Sequence, residues 1–172
     1  MAKEVDERTA IQEEDIAEAG SFTFDTDFNV EDEFKAAPLV PSGKYEGNVT
    51  GVKFDPTAMA LVWEVTLIAD NDVMMSDNET PVTGNVMYYR NWLPKAGDEN
   101  IRTKTGKMTK RQAKINMMQD FQKKMRIDMN TPEAIMDGVS NQEWVGIAVI
   151  ATVEVREWEG RLSNQIKEMV AA

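Results

Sequence analysis

Tyr88, Tyr89, Arg90 and Trp92 bring three aromatic rings and a guanidinium into five consecutive positions. Side chains alternate along a strand, so Tyr88, Arg90 and Trp92 share one face, and Met87, Tyr89, Asn91 and Leu93 the other. Two rings beside a cation suit base stacking, because every nucleobase has a π-face and the cation holds the backbone. Aromatic-rich strands also build cores, in which case Trp92 is buried and Arg90 covers it. Trp158 stands in Arg156-Glu157-Trp158-Glu159-Gly160, at the expected tip of a hairpin. A ring there is hard to bury within its own domain. It is placed to stack on a base, to anchor a partner, or to pack on a neighbouring loop. Trp63 and Trp144 fall in apolar strands and are expected in the core.

Charge adds a second signal. The chain carries a formal −11, but unevenly: residues 1–35 hold twelve acids and three bases, a net −9, while residues 95–126 hold ten bases and three acids, a net +7. Arg102, Lys104, Lys107, Lys110 and Arg111 follow one another around Gly97 and Gly106, which reads as a mobile loop that tracks phosphates. Lys53 and Arg90 would extend that track. The competing reading is an ordinary solvated face. In the acidic segment, Phe22, Phe24, Phe28 and Phe34 alternate with Asp25, Asp27, Glu31, Asp32 and Glu33. Solubility needs the acids but not the phenylalanines, so these four rings are candidates for docking on a protein partner. Residues 1–37 lack a sustained apolar period and read as a disordered arm.

The chemistry that the composition excludes is broad. There are no cysteines and no histidines. Disulfides, thiolate metal sites and Ser-His or Cys-His nucleophile arrangements are therefore ruled out. Asp70, Asp72, Asp77 and Glu79 share a loop, but the central glycine and closing glutamate of a calcium loop are missing. No phosphate-cradling glycine loop, dinucleotide fingerprint or nucleophile motif is present. The expectation is a binding protein rather than an enzyme, without cofactor or metal. No apolar run approaches the roughly 20 residues that a membrane helix needs.

The elements that must position these residues begin near Pro38, after which residues 38–172 read as one domain. Tyr45 to Phe54 reads as a strand in which Gly47 and Gly51 permit coiling and a bulge. From Ala58 to Ile68, Met59, Leu61, Trp63, Val65 and Leu67 alternate with polar positions, the clearest strand in the chain. A polar loop leads to a third strand, Asn85 to Leu93, stopped by Pro94. The period then becomes helical from Thr109 to Ile127, with Met117, Met118, Phe121 and Met125 on the apolar side. Thr131-Pro132-Glu133 starts a second, short helix and Gly138 is a candidate stop. Trp144 to Val155 alternates again, with Val145, Ile147, Val149, Ala151, Val153 and Val155 inward. Glu159-Gly160 turns the chain into a last strand, Leu162 to Met169, with Leu162, Asn164 and Ile166 on one face. Three strands, a helical insertion and two strands match a mainly β, five-stranded Greek-key barrel of OB type. An open α+β sheet with the helix on one face fits the same order.

On these residues the sequence resembles the small OB-fold single-stranded-DNA-binding proteins of bacteriophages. The likeness spans about residues 38–170. It rests on Pro41-x-Gly43-x-Tyr45, the aromatic third strand and its following helix, Trp144-Val145-Gly146, and Gly160 leading to Asn164-x-Ile166. It implies sequence-tolerant binding of single-stranded DNA in phage replication or recombination, in the cytoplasm of an infected bacterial host. Bases would stack on Tyr88, Trp92 and Trp158, and phosphates would lie against Lys53, Arg90, Arg102, Lys104, Lys107 and Lys110. Replication or recombination proteins would meet the acidic arm, and homo-oligomers fit the same picture. The chain departs from the family in carrying its acid at the N-terminal end, whereas the family's acidic tail is C-terminal. The alternative is a viral interaction or structural protein that docks through its acidic, Phe-rich arm.

Overall fold

A computed structural model of the protein describes residues 24–172. The chain divides into two units, Met1–Ala37 and Pro38–Ala172. Among the described residues of the first, a helical turn forms, α1 (Val30–Glu33). The Asn29 side chain accepts hydrogen bonds from the N–H groups of Glu31 and Asp32, and the Glu33 carboxylate accepts from the Asn29 N–H at 2.7 Å. This is the reciprocal logic of a capping box, and it gives the expected disordered arm one ordered turn. Phe24, Phe28 and Phe34 are exposed. Phe22 and the rest of residues 1–23 lie outside the described residues.

The second unit is mainly β. Its strands are β1 (Gly43–Asp55), β2 (Ala60–Ile68), β3 (Val86–Trp92), β4 (Ala148–Trp158) and β5 (Arg161–Ala171). In chain order, α2 (Lys110–Met125) and α3 (Pro132–Ser140) lie between β3 and β4. The strands form one antiparallel sheet in the order β3-β2-β1-β4-β5. Among the described residues no ladder joins β3 to β5, so the sheet is open where a closed barrel was expected. The two edges still approach each other, and α2 touches both: its Phe121 stacks on Tyr89 of β3 and its Lys124 pairs with Glu168 of β5 at 2.8 Å. No helix among the described residues is long and apolar enough to cross a membrane.

The core follows from alternation and one irregularity. Leu61, Trp63, Val65 and Leu67 of β2 are fully buried, as are Val149, Ala151 and Val153 of β4. On β1, Val49 and Val52 are both buried although an uninterrupted strand would turn them to opposite faces. A bulge between Val49 and Gly51 supplies the extra residue, Thr50, and resets the alternation. The domain's first residues are held by Asn164, whose side chain accepts from the Val40 N–H at 2.7 Å and donates to the Val40 carbonyl at 2.8 Å. A side chain there replaces a strand partner and lets Val40 be buried.

Three local expectations change. Gly138 does not stop α3 but lies inside it, buried against Trp144; a Cβ there would sit 2.4 Å from the indole ring. Met117 is exposed, because α2 buries the stripe through Met118, Phe121 and Met125 and Met117 falls off it. Val145 is exposed, because Trp144 to Gly146 turn, with Gly146 at φ 94°, before β4 begins at Ala148. Leu162 shares a face with Asn164 and Ile166, as expected, and is exposed near the hairpin tip.

Candidate nucleic-acid interface

The outer face of β3 carries Tyr88, Arg90 and Trp92 together. Tyr88 is 56% exposed and Trp92 46%. Their cross-strand neighbours on β2 are Glu64, Val62 and Ala60, and on β1 Gly51, Lys53 and Asp55. Ala60 beside Trp92 and Val62 beside Arg90 are buried, while Gly51 lies in the row of Tyr88. Val62 lies between Arg90 and Lys53, so one row of the sheet offers two cations. Among the described residues the Arg90 side chain makes no hydrogen bond or ion pair. Glu64 is fixed: the Thr50 hydroxyl donates to its Oε1 at 2.8 Å, and Thr50 also meets the Thr66 hydroxyl at 3.1 Å.

The inner face holds this strand rigid. Trp63 Nε1–H donates to the buried Asn91 Oδ1 at 2.6 Å. Trp63 stacks on Trp144 with centroids 5.2 Å apart and meets Phe121 edge-on at 5.2 Å. Tyr89 lies nearly parallel to Phe121 at 5.3 Å, and burial raises its phenol pKa. Such ring contacts add about 0.5–1.5 kcal/mol each beyond area burial. Alternate residues of β3 thus belong to a fixed aromatic lattice and to the exposed patch.

The basic stretch folds as a hydrogen-bonded finger instead of the loose loop its glycines suggested. Thr103 N–H donates to Met108 O at 3.0 Å, Lys110 N–H to Ile101 O at 2.7 Å, and Arg102 bridges to Thr109. Gly106, at φ 69°, makes the turn. Arg102, Lys104 and Lys107 are exposed on it. Its root is Asp98, only 1% exposed, which accepts from Lys114 Nζ at 2.7 Å and from the Lys95 N–H at 3.0 Å. The Lys114 hydrogen bond, then that of the Lys95 N–H, hold the Asp98 carboxyl below the usual carboxylate range. Lys114 is therefore committed to the fold, and Lys110 stands 4.0 Å from the same carboxylate.

At the other end of the sheet, β4 and β5 run on past the last β1 pair, Gly43 with Val153, as a two-stranded ribbon. Glu159 at φ 50° and Gly160 at φ 77° close it. Trp158 is 74% exposed at its tip. The ladder register puts Arg156 and Arg161 on the same face as Trp158. Neither arginine stood out in the sequence; the signal was their spacing about the Glu159-Gly160 turn. In ladder order, Lys53, Tyr88, Arg90 and Trp92 form one patch, the finger follows β3, and Trp158 belongs to the opposite end.

Two further features complete the survey. Asp77 accepts from the Thr80 hydroxyl at 2.6 Å and from the N–H groups of Thr80 and Glu79, so it caps its own turn, and the Thr80 bonds hold its carboxyl below the ordinary value. Among the described residues no group of three or more acids is arranged to hold a metal ion. A cavity of about 530 Å³ opens between α2, α3 and the β1–β2 turn, lined by Phe54, Met59, Leu93, Met118, Met129 and Ile135 among others. The sequence matches no family model and no curated protein.

Proposed function

We propose that this chain binds single-stranded DNA with little sequence preference, as a non-catalytic protein of phage replication or recombination. One observation carries the reading: two half-exposed rings flank an unpaired guanidinium on a single strand face, over an inner lattice that keeps that face fixed. Stacking on such rings is sequence-tolerant and worth about 1–3 kcal/mol per base. The strand order β3-β2-β1-β4-β5, left open between β3 and β5, fits the partly open form of an OB-type barrel, in which the face of strands two and three and the loop between four and five meet oligonucleotides. Tyr88 and Trp92 occupy the first position and Trp158 the second. Lys53, Arg90, Arg102, Lys104 and Lys107 supply phosphate contacts, with Lys110 in a lesser role because Asp98 draws on it. The phage setting rests on the resemblance alone.

The test is a titration of intrinsic tryptophan fluorescence with oligo-dT at low salt. Trp63 and Trp144 are buried and Trp92 and Trp158 exposed, so partial quenching is expected. With about five phosphate contacts, log K should fall against log salt with a slope of about −3 to −4. No quenching would refute stacking, and a flat salt response would refute the phosphate track. The second reading, a viral interaction protein that docks through its arm, is favoured by the exposure of Phe24, Phe28 and Phe34 beside acids.

A further inference from the structure

Glu64 is an anomaly in a surface built for a polyanion. It lies on the outer face of β2 as the direct cross-strand partner of Tyr88. Directly opposed side chains on one face of an antiparallel pair have Cβ atoms about 4.5–5.5 Å apart, so whatever stacks on Tyr88 has an edge over Glu64. The carboxylate is also held in place. Thr50, the residue inserted by the β1 bulge, donates to Oε1 at 2.8 Å, which leaves the other oxygen available. Gly51, its ladder partner on β1, has no side chain to cover it; a Cβ there would already touch the Glu64 side chain, 3.6 Å from its Cβ.

An ionised carboxylate only accepts hydrogen bonds. In a single strand the Watson–Crick edge is open to be read. Cytosine and adenine present an exocyclic amine on that edge, and guanine presents an amine and a ring N–H side by side. Thymine presents one N–H between two carbonyl oxygens, which face a carboxylate with like partial charge. From this geometry we infer that Glu64 is a specificity-determining residue, biasing the Tyr88 position toward amine-bearing bases and against thymine. The inference rests on the proposed stacking platform and deepens it: binding remains tolerant along the strand, with a bias at one position. Thr50 acts as the positioning residue that aims the carboxylate.

The experiment compares dC20 and dT20 by anisotropy competition against a labelled mixed-sequence oligonucleotide, using the full chain. The wild type should prefer dC20 by about five- to tenfold, somewhat below a buried bidentate base contact because the site is open to water. Glu64→Gln, whose amide both donates and accepts, should bring the two within about twofold and bind dT20 more tightly than the wild type does. Thr50→Val should reduce the preference while keeping the negative charge, which separates aim from charge alone. Melting curves of both variants report folding independently. A wild type that binds dT20 as well as or better than dC20 overturns the inference but leaves the platform standing, as does a Glu64→Gln variant that keeps the preference. If neither oligonucleotide binds, the proposed function fails with it.

Discussion

Replacing Trp92 by alanine should weaken DNA binding and folding together, and the structure sets the size of each. A fully buried tryptophan truncated to alanine costs about 3–5 kcal/mol. The Trp92 ring is 46% exposed, so roughly half of that burial exists to be lost, about 1.5–2.5 kcal/mol. Ordinary domains hold about 5–15 kcal/mol, so the variant stays folded at room temperature and its binding can be measured cleanly. Losing one stacked base should cost a further 1–3 kcal/mol of affinity, or about five- to 150-fold in Kd. The assay is anisotropy of a labelled oligo-dT, since Trp92 is itself one of the fluorophores, beside a thermal melt of the same sample. Trp63→Ala provides the contrast: its ring is fully buried and its N–H satisfies Asn91, so that variant should lose the full core cost. A Trp92→Ala protein that binds normally, or that melts as early as Trp63→Ala, would refute the assignment of this ring to the platform.

Three other outcomes follow from single contacts. Gly138→Ala sets helix propensity, which favours alanine by about 1 kcal/mol, against a Cβ placed 2.4 Å from the Trp144 ring. Overpacking should win by about 1–2 kcal/mol, and a raised Tm would show that Trp144 yields. Asp98→Asn should lower Tm at neutral pH. Because the folded carboxyl is held below its ordinary value, its stabilisation is present above that value and lost as pH falls through the folded one. The gap between wild type and variant should therefore close below about pH 4; a gap that stays constant with pH would mean that charge is not what Lys114 and Lys95 read. Trp158→Ala should leave stability within about 0.5 kcal/mol yet reduce oligonucleotide affinity, and unchanged affinity would remove the ribbon from the interface.

Features set by strict alternation were legible from the residues alone. Leu61, Trp63, Val65 and Leu67 announce β2, and the same period places Tyr88, Arg90 and Trp92 on one face whatever the sheet does next. Gly51 signalled the bulge, because a strand that must coil there has few other options. What was illegible depends on partners that arrive from elsewhere in the chain. Gly138 looks like a helix stop until Trp144 is known to lie on it. Lys114 looks like one more surface cation until Asp98, sixteen residues earlier, is seen buried beneath it. Arg156 and Arg161 become neighbours of Trp158 only once the hairpin register is fixed. That β3 and β5 end up as the two edges of the sheet depends on which strands β1 and β4 pair with, and no local pattern in either edge strand encodes that.

The pairing of β1 with β4 also has a consequence in time. Gly43 meets Val153 and Asn48 meets Ala148, so one side of β1 waits for partners about 100 residues downstream. At a synthesis rate of about 5–20 residues per second, that side is unpaired for roughly 5–20 s after β1 has left the ribosome. During this interval the nascent chain holds a β-meander with a bare edge, the usual template for mispairing between chains. The outward positions along that edge are Lys44, Glu46 and Asn48, and Gly47 lies between the last two. Charges, an amide and a residue with poor strand propensity make this edge a weak template. The side of β1 that is last to be satisfied is thus written in residues that discourage any partner but β4.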